Sequence, residues 1–250
     1  MPPIVEIREL TKKYGHFTAV SGLSMAVEPG EILALLGPNG AGKTTTIKML
    51  MGILRATSGE AFVAGKDCFR DRAEVMRSVG YLPDDPVFYD YLRGSEILGF
   101  VGEMHGLSPR EAQNRAAPLI KRFDLTGDLN EYAVNYSKGM KKKLAMICAL
   151  LHEPRVLILD EPTNGLDPFA TRELHALIRE LAASGTAVFF STHLLDQAER
   201  LCHRVGILYK SRLVALGPLE QLRSEELTEG GSLEDLFFRV ASDAPREEES

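Results

Sequence analysis

Apolar and polar residues alternate from Ile4 to Leu10, the pattern of a half-buried strand. Ser24 to Val27 and Ala61 to Val63 are shorter stretches of the same kind. Glu31 to Leu36 is a compact apolar run closed by Gly37, which predicts a buried strand. Residues 43–54 then read as a helix with Gly52 near its end. From about Asp90 to Leu151 helix-like segments replace the strand-like ones, most clearly over Pro109 to Phe123 and Lys138 to Leu151. The alternation of types then returns. Val156 to Asp160 reads as a buried strand, and Asp167-Pro168 as an N-cap followed by proline in the first helical position. The helix after it puts Leu174, Leu177, Ile178 and Leu181 on one face. Thr186 to Thr192 predicts a strand and Leu194 to Cys202 a helix. Arg204 to Tyr209 and Arg212 to Leu216 predict a hairpin turning at Lys210-Ser211. Strands and helices in this order imply an α/β fold, with a mostly parallel sheet between helical layers.

Composition narrows the picture. Of the 250 residues, 44% are apolar and 26% charged, ordinary for a globular chain with a sizeable core. The net charge of −6 argues against a protein that coats itself with nucleic acid. Cys68, Cys148 and Cys202 are odd in number and far apart, which suggests neither a disulfide framework nor a zinc site. The start, MPPIVEIREL, carries no basic-then-apolar signal pattern, and no run approaches the ~18 apolar residues that span a bilayer. The expectation is a cytoplasmic chain that reaches a membrane only by docking. The polar, acidic tail at 241–250 is expected to be disordered.

Candidate chemistry begins at Gly37, where the chain reads Gly-Pro-Asn-Gly-Ala-Gly-Lys-Thr. This is the phosphate-loop pattern, placed between a buried strand and a helix as its chemistry requires. By chance such a match arises in roughly one chain in a hundred of this length. Gly40 and Gly42 let backbone N–H groups turn inward toward phosphate oxygens. The following helix directs its positive end to the same place. Lys43 supplies a full charge for the β- and γ-phosphates, and the Thr44 hydroxyl is the candidate Mg²⁺ ligand. Asn39, Ala41 and Thr45 complete the expected nucleotide-binding segment.

A second cluster closes the strand Val-Leu-Ile-Leu with Asp160-Glu161. Ligands bind at that end of strands in open α/β sheets. Asp160 is placed to hold Mg²⁺, and Glu161 to act as general base on the attacking water. An acid after an apolar strand is common, so this motif gains weight only beside the phosphate loop.

Together these segments resemble the ABC-type ATPases, over nearly the whole chain. Tyr136-Ser137-Lys138-Gly139-Met140 stands where that family carries its Leu-Ser-Gly-Gly-Gln signature. It keeps Ser137 and Gly139, and its form resembles the drug and polysaccharide exporter branch. The resemblance implies a P-loop NTPase fold: a RecA-like core with an N-terminal antiparallel β subdomain, over about 1–89 and 152–225, and a helical subdomain inserted at about 90–151. A single ABC ATPase domain would thus fill residues 1–240. It implies ATP and Mg²⁺ as cofactors. Ser137 and Gly139 would contact the γ-phosphate of ATP held by an opposite protomer, Tyr14 would stack on adenine, and His193 would contact the γ-phosphate. Asp167 would couple the two sites while serving as the N-cap. Glutamine usually follows Tyr-Leu-Pro in the family, where it senses Mg²⁺ and the attacking water; here Asp84 stands there, shorter and acidic. It is expected to reach the metal through water or to couple to the partner.

The resemblance implies two partners, a separate transmembrane permease and a second nucleotide-binding subunit, most simply an identical copy. The chain would sit on the cytoplasmic face of the membrane as the motor of an exporter. Two other readings compete: a soluble ABC ATPase acting on ribosomes, nucleic acid or cluster assembly, and a regulator that binds ATP but scarcely hydrolyses it. Glu161 and His193 speak against the second. Lys138, Lys141, Lys142 and Lys143 form a basic cluster at a helix start, either a solvated face or an attractor for triphosphate. Phe88, Tyr89 and Tyr91 suit either a docking surface or the core.

Overall fold

The computed structural model describes residues 2–226; the tail expected to be disordered lies outside them. Two sheets organise the chain. The first is antiparallel and four-stranded, in the order β2-β1-β4-β5. Its members are β1 (Val5–Tyr14), β2 (Phe17–Val27), β4 (Ser58–Val63) and the two-residue β5 (Lys66–Asp67). The alternation in β1 breaks after Ile7 because its register with both neighbours slips there, with Glu9 at φ 46°. The irregularity puts Leu10 back on the buried face beside Val5 and Ile7. The strand therefore runs four residues beyond the Leu10 that simple alternation predicts.

The second sheet has six strands in the order β10-β9-β3-β8-β7-β6. These are β3 (Ile32–Leu36), β6 (Val79–Leu82), β7 (Val156–Asp160), β8 (Ala187–Thr192), β9 (Arg204–Tyr209) and β10 (Arg212–Pro218). The five from β9 to β6 are mutually parallel, and β10 returns antiparallel on β9. That return is the hairpin expected at Lys210-Ser211, both of which take positive φ, as a tight two-residue turn demands.

Residues of β3, β7 and β8 are buried on both faces, and successive side chains enter different cores. Ile32, Ala34, Leu36, Leu157, Leu159, Val188 and Phe190 join one cluster. Leu33, Leu35, Val156, Ile158, Ala187 and Phe189 join the other. The first cluster is capped by α3 (Gly94–Met104), α4 (Pro109–Arg122), α5 (Lys138–Leu150), α6 (Pro168–Ala183) and α7 (Leu195–Leu201). The second lies beneath the antiparallel sheet together with α1 (Lys43–Leu50) and α2 (Arg72–Ser78). A fully buried phenylalanine such as Phe189 or Phe190 contributes about 2 kcal/mol over exposure. A last helix, α8, covers Leu219–Glu226.

Between β6 and β7 the regular elements are helices joined by loops, with an isolated bridge between Arg93 and Tyr132 and one 3-10 turn at Ala133–Asn135. Ser108 caps α4 through a reciprocal box with Glu111. The helix predicted over 43–54 ends at Leu50, because the chain turns left-handed at Gly52 (φ 60°). The Asp167 carboxylate accepts from the Ala170 N–H at 2.8 Å, confirming the N-cap of α6. That bond, ahead of Lys143, holds the carboxyl below its usual range.

Candidate functional site

The parallel ladder brings the candidate residues together. Leu36 ends β3 opposite Thr192 of β8, Asp160 ends β7 opposite Ser191, and Leu82 ends β6 opposite Leu159. The phosphate loop, Asp160-Glu161, His193 and Asp84 thus leave the same edge of the sheet on adjacent strands. This is where α/β sheets hold ligands.

The loop at 37–42 passes under the antiparallel sheet and opens α1. Gly42 takes φ 110°, and a Cβ there would strike the Ala19 carbonyl, so only glycine fits. Asn39 and Gly40 are exposed, whereas Lys43 is buried. Its ammonium donates to the carbonyls of Gly37 at 2.8 Å and Pro38 at 3.3 Å. It also pairs with Glu161 Oε1 at 3.3 Å. Ala41 is buried and Thr45 half-buried. Tyr14, at the end of β1, is 50% exposed with Lys12 Nζ 5.0 Å from its ring centre.

Thr44 donates its hydroxyl to Asp160 Oδ1 at 3.2 Å. Buried Ser191 donates to the same oxygen at 2.5 Å and accepts from the Glu161 N–H at 3.1 Å. Glu161 takes φ 44°, an uncommon backbone for a side chain of this size. Its Oε2 accepts from His193 Nδ1 at 2.9 Å, since an ionised carboxylate can only accept. Its Oε1 is buried and has the Lys43 charge nearby, but no hydrogen bond among the described residues. The Lys43 contact is an ion pair without hydrogen-bond alignment.

Asp84 keeps different company. Its Oδ1 accepts from Asn164 Nδ2 at 3.1 Å and lies 3.4 Å from Lys142 Nζ. Neither Thr44 nor Asp160 is among its hydrogen-bond partners in the described residues. Burial, with the charges of Asp160 and Asp84, pushes the nearby Tyr81 phenol up to about 12. Ser137 is exposed at the N-cap of α5, where its hydroxyl accepts from the Met140 N–H. Gly139 is half-buried next to it.

The basic cluster splits. Lys138 is exposed, Lys143 pairs with Asp167 at 3.5 Å, and Lys142 is 1% exposed. Lys142 is therefore neither a solvated face nor an open attractor for triphosphate. Burial lowers its pKa, with the charge of Asp84 opposing. A helical signal was available, because position 142 shares a stripe with Ala145, Met146 and Ala149, all buried. Ser191 and Asn164 were missed as well. Ser191 left one trace, a hydroxyl ending the apolar run of β8 at the same edge as Asp160.

Phosphate loop, paired acids and parallel sheet define the class: a P-loop ATPase cassette. Residues 20–164 match the sequence profile described as ABC transporter, and the chain belongs to that family. It is 35% identical over 247 residues to the probable multidrug ABC transporter ATP-binding protein YbhF of Escherichia coli (strain K12). That match covers 98% of this chain and 43% of the relative, so the chain spans less than half of that relative's length. The bacitracin transport ATP-binding protein BcrA of Bacillus licheniformis is 37% identical, over 89% of this chain and 72% of the relative. A solved ATP-binding subunit of an ABC transporter superposes with TM-score 0.90 at 35% identity, covering 95% of this chain and 99% of that one. A dimeric cassette described as post-hydrolysis and bound to ADP and Pi superposes at 0.78; at 22% identity, over 86% of this chain and 98% of that one, it shows the fold alone.

Proposed function

We propose that this chain is the ATP-hydrolysing motor of an ABC transporter, probing ATP at the sheet edge and completing each site with a second copy. The observation that carries the reading is Glu161. One carboxylate oxygen is fixed by His193, and the other is buried next to the phosphate-loop lysine, with no hydrogen bond among the described residues. That is what a general base for an attacking water requires.

The oxygen-only pair of Thr44 and Asp160, 3.2 Å apart, fits Mg²⁺, which prefers hard oxygen ligands and keeps several waters. When bound, the ion would offset charge on the phosphates. Lys43 adds its own positive charge, and the backbone N–H groups of the loop orient the triphosphate. Glu161 takes up the proton of the attacking water, while His193 holds the carboxylate in place. Ser137 is exposed at the start of α5, which leaves its hydroxyl open to the site of a second copy.

The membrane subunit would dock on the helical segment. Val87, Tyr89, Tyr91 and Met104 are each at least 70% exposed there. Among the described residues no helix is long and apolar enough to cross a membrane. We assign the channel to a separate permease because relatives are described as ATP-binding proteins of transporters. Relatives described by bacitracin transport and multidrug transport support the exporter reading. Glu161→Gln is expected to lower ATP turnover at least about 100-fold while retaining an ATP-bound dimer. Turnover assay and size-exclusion chromatography check this, and hydrolysis at the native rate would sink the assignment of the base.

A further inference from the structure

Lys142 joins three parts of the molecule at one nitrogen. It sits in the second turn of α5, whose N-cap is Ser137. Its ammonium has three protons and meets three acceptors: the Glu161 carbonyl at 2.6 Å, the Asp84 carbonyl at 2.8 Å and Asp84 Oδ1 at 3.4 Å. One of these acceptors belongs to the residue with the strained backbone. Glu161 can hold φ 44° because its N–H is taken by Ser191 and its carbonyl by Lys142, a bond on each side of the twisted residue. With the peptide held at both ends, the carboxylate is aimed at Lys43 and His193.

Asp84 is the counter-charge in this arrangement. Its carboxylate is shared between Lys142 and Asn164, three residues beyond Glu161. The loops after β6 and β7 are thus tied to α5 through a single buried cation, and α5 is the helix that presents Ser137.

We propose that Lys142 is a positioning residue for hydrolysis, which holds the Glu161 peptide in its twisted conformation, and that Asp84 serves as its counter-ion. The proposal rests on Glu161 being the general base. Lys142 touches no reacting atom; it acts through Glu161.

The test compares kcat and KM for ATP in the purified 250-residue chain with those of Lys142→Met, Lys142→Gln and Glu161→Gln. Methionine matches the length of the lysine stem but donates nothing; glutamine keeps a donor for the Glu161 carbonyl. Lys142→Met is expected to lose at least about tenfold in kcat with KM within about threefold, and Lys142→Gln to recover most of that loss. In the nucleotide-free protein, amide exchange at residues 160–164 should rise in Lys142→Met while the strands of the parallel sheet keep their protection. Unchanged kcat in Lys142→Met, unchanged exchange, or equal losses in the methionine and glutamine variants would overturn the proposal. Asp84→Asn provides a second variant at a half-exposed site should the methionine variant not fold. A counter-ion role predicts reduced kcat with the same half-saturating Mg²⁺, whereas a raised Mg²⁺ requirement overturns it in favour of metal contact. The Glu161→Gln control separates the two levels. If it still turns over ATP, the general-base reading has failed; if it is inactive and Lys142→Met is not, only this proposal has.

Discussion

Ser191 serves both site acids with one hydroxyl, donating to Asp160 and accepting from the Glu161 N–H, with no exposure to solvent. Replacing it by alanine leaves Asp160 Oδ1 with Thr44 and the Glu161 N–H with the Ser191 carbonyl as remaining partners, and removes one hydrogen bond from each. We expect Ser191→Ala to cost about 1–3 kcal/mol, read from urea unfolding, and to weaken turnover as Asp160 loses the shorter of its two hydroxyl donors. A wild-type unfolding midpoint would show that other groups satisfy them. Residue by residue, the site divides according to the kind of signal each member left. Lys43, Thr44, Asp160 and Glu161 were legible because a loop of fixed length must cradle phosphate and a strand must end in acid. Lys142, Asn164 and Ser191 were not legible as a group. Their roles come from contacts across 19 to 80 positions of chain, which no local spacing encodes. Asp84 was visible as a departure from the family pattern, but its pairing with Lys142 required the fold.

At the scale of elements, α5 leaves the helical segment at Ser137 and delivers the chain to β7, packing on β6 on the way. It was readable end to end, Lys138 to Leu150 against an expectation of Lys138 to Leu151. By contrast β6 went unread, because Val-Gly-Tyr-Leu is short and contains a glycine packed against the Ala149 carbonyl. Just past α5, His152 stacks on His105 with ring centres 3.8 Å apart and contacts the Val79 carbonyl at 3.1 Å. Burial, His105 and Arg115 pull its pKa down to about 4, against the Val79 carbonyl. The folded chain therefore resists a proton that the unfolded chain accepts below the ordinary value of 6.5. Stability from this group is fully present above 6.5 and is lost as pH falls toward about 4. His152→Gln should flatten the fall of the thermal midpoint across that window, measured by calorimetry; an unaltered slope would assign the fall to other groups.

For the whole molecule, the doubly buried sheet explains why order and class were readable: its strands are nearly continuous apolar runs between turns. The aromatic trio after Asp84 was ambiguous in sequence, and the fold divides it. Phe88 packs on the first core, whereas Tyr89 and Tyr91 are 74% and 86% exposed. If that surface meets the permease, a Tyr89→Ser and Tyr91→Ser chain keeps its ATP affinity and thermal midpoint but no longer sediments with membranes from its own cell. Co-sedimentation equal to wild type would move the docking surface elsewhere.

One consequence follows from α5 being both signature helix and crossover. Thirteen residues at 1.5 Å each make a rigid rod of about 20 Å, anchored in the core at its far end. A tilt of about 10° there sweeps Ser137 through about 3 Å, the width of a hydrogen bond. If Ser137 serves a second copy's site, the helix would act as a mechanical amplifier, in which a barely perceptible adjustment beneath the sheet edge decides whether that serine meets or misses a neighbour's nucleotide.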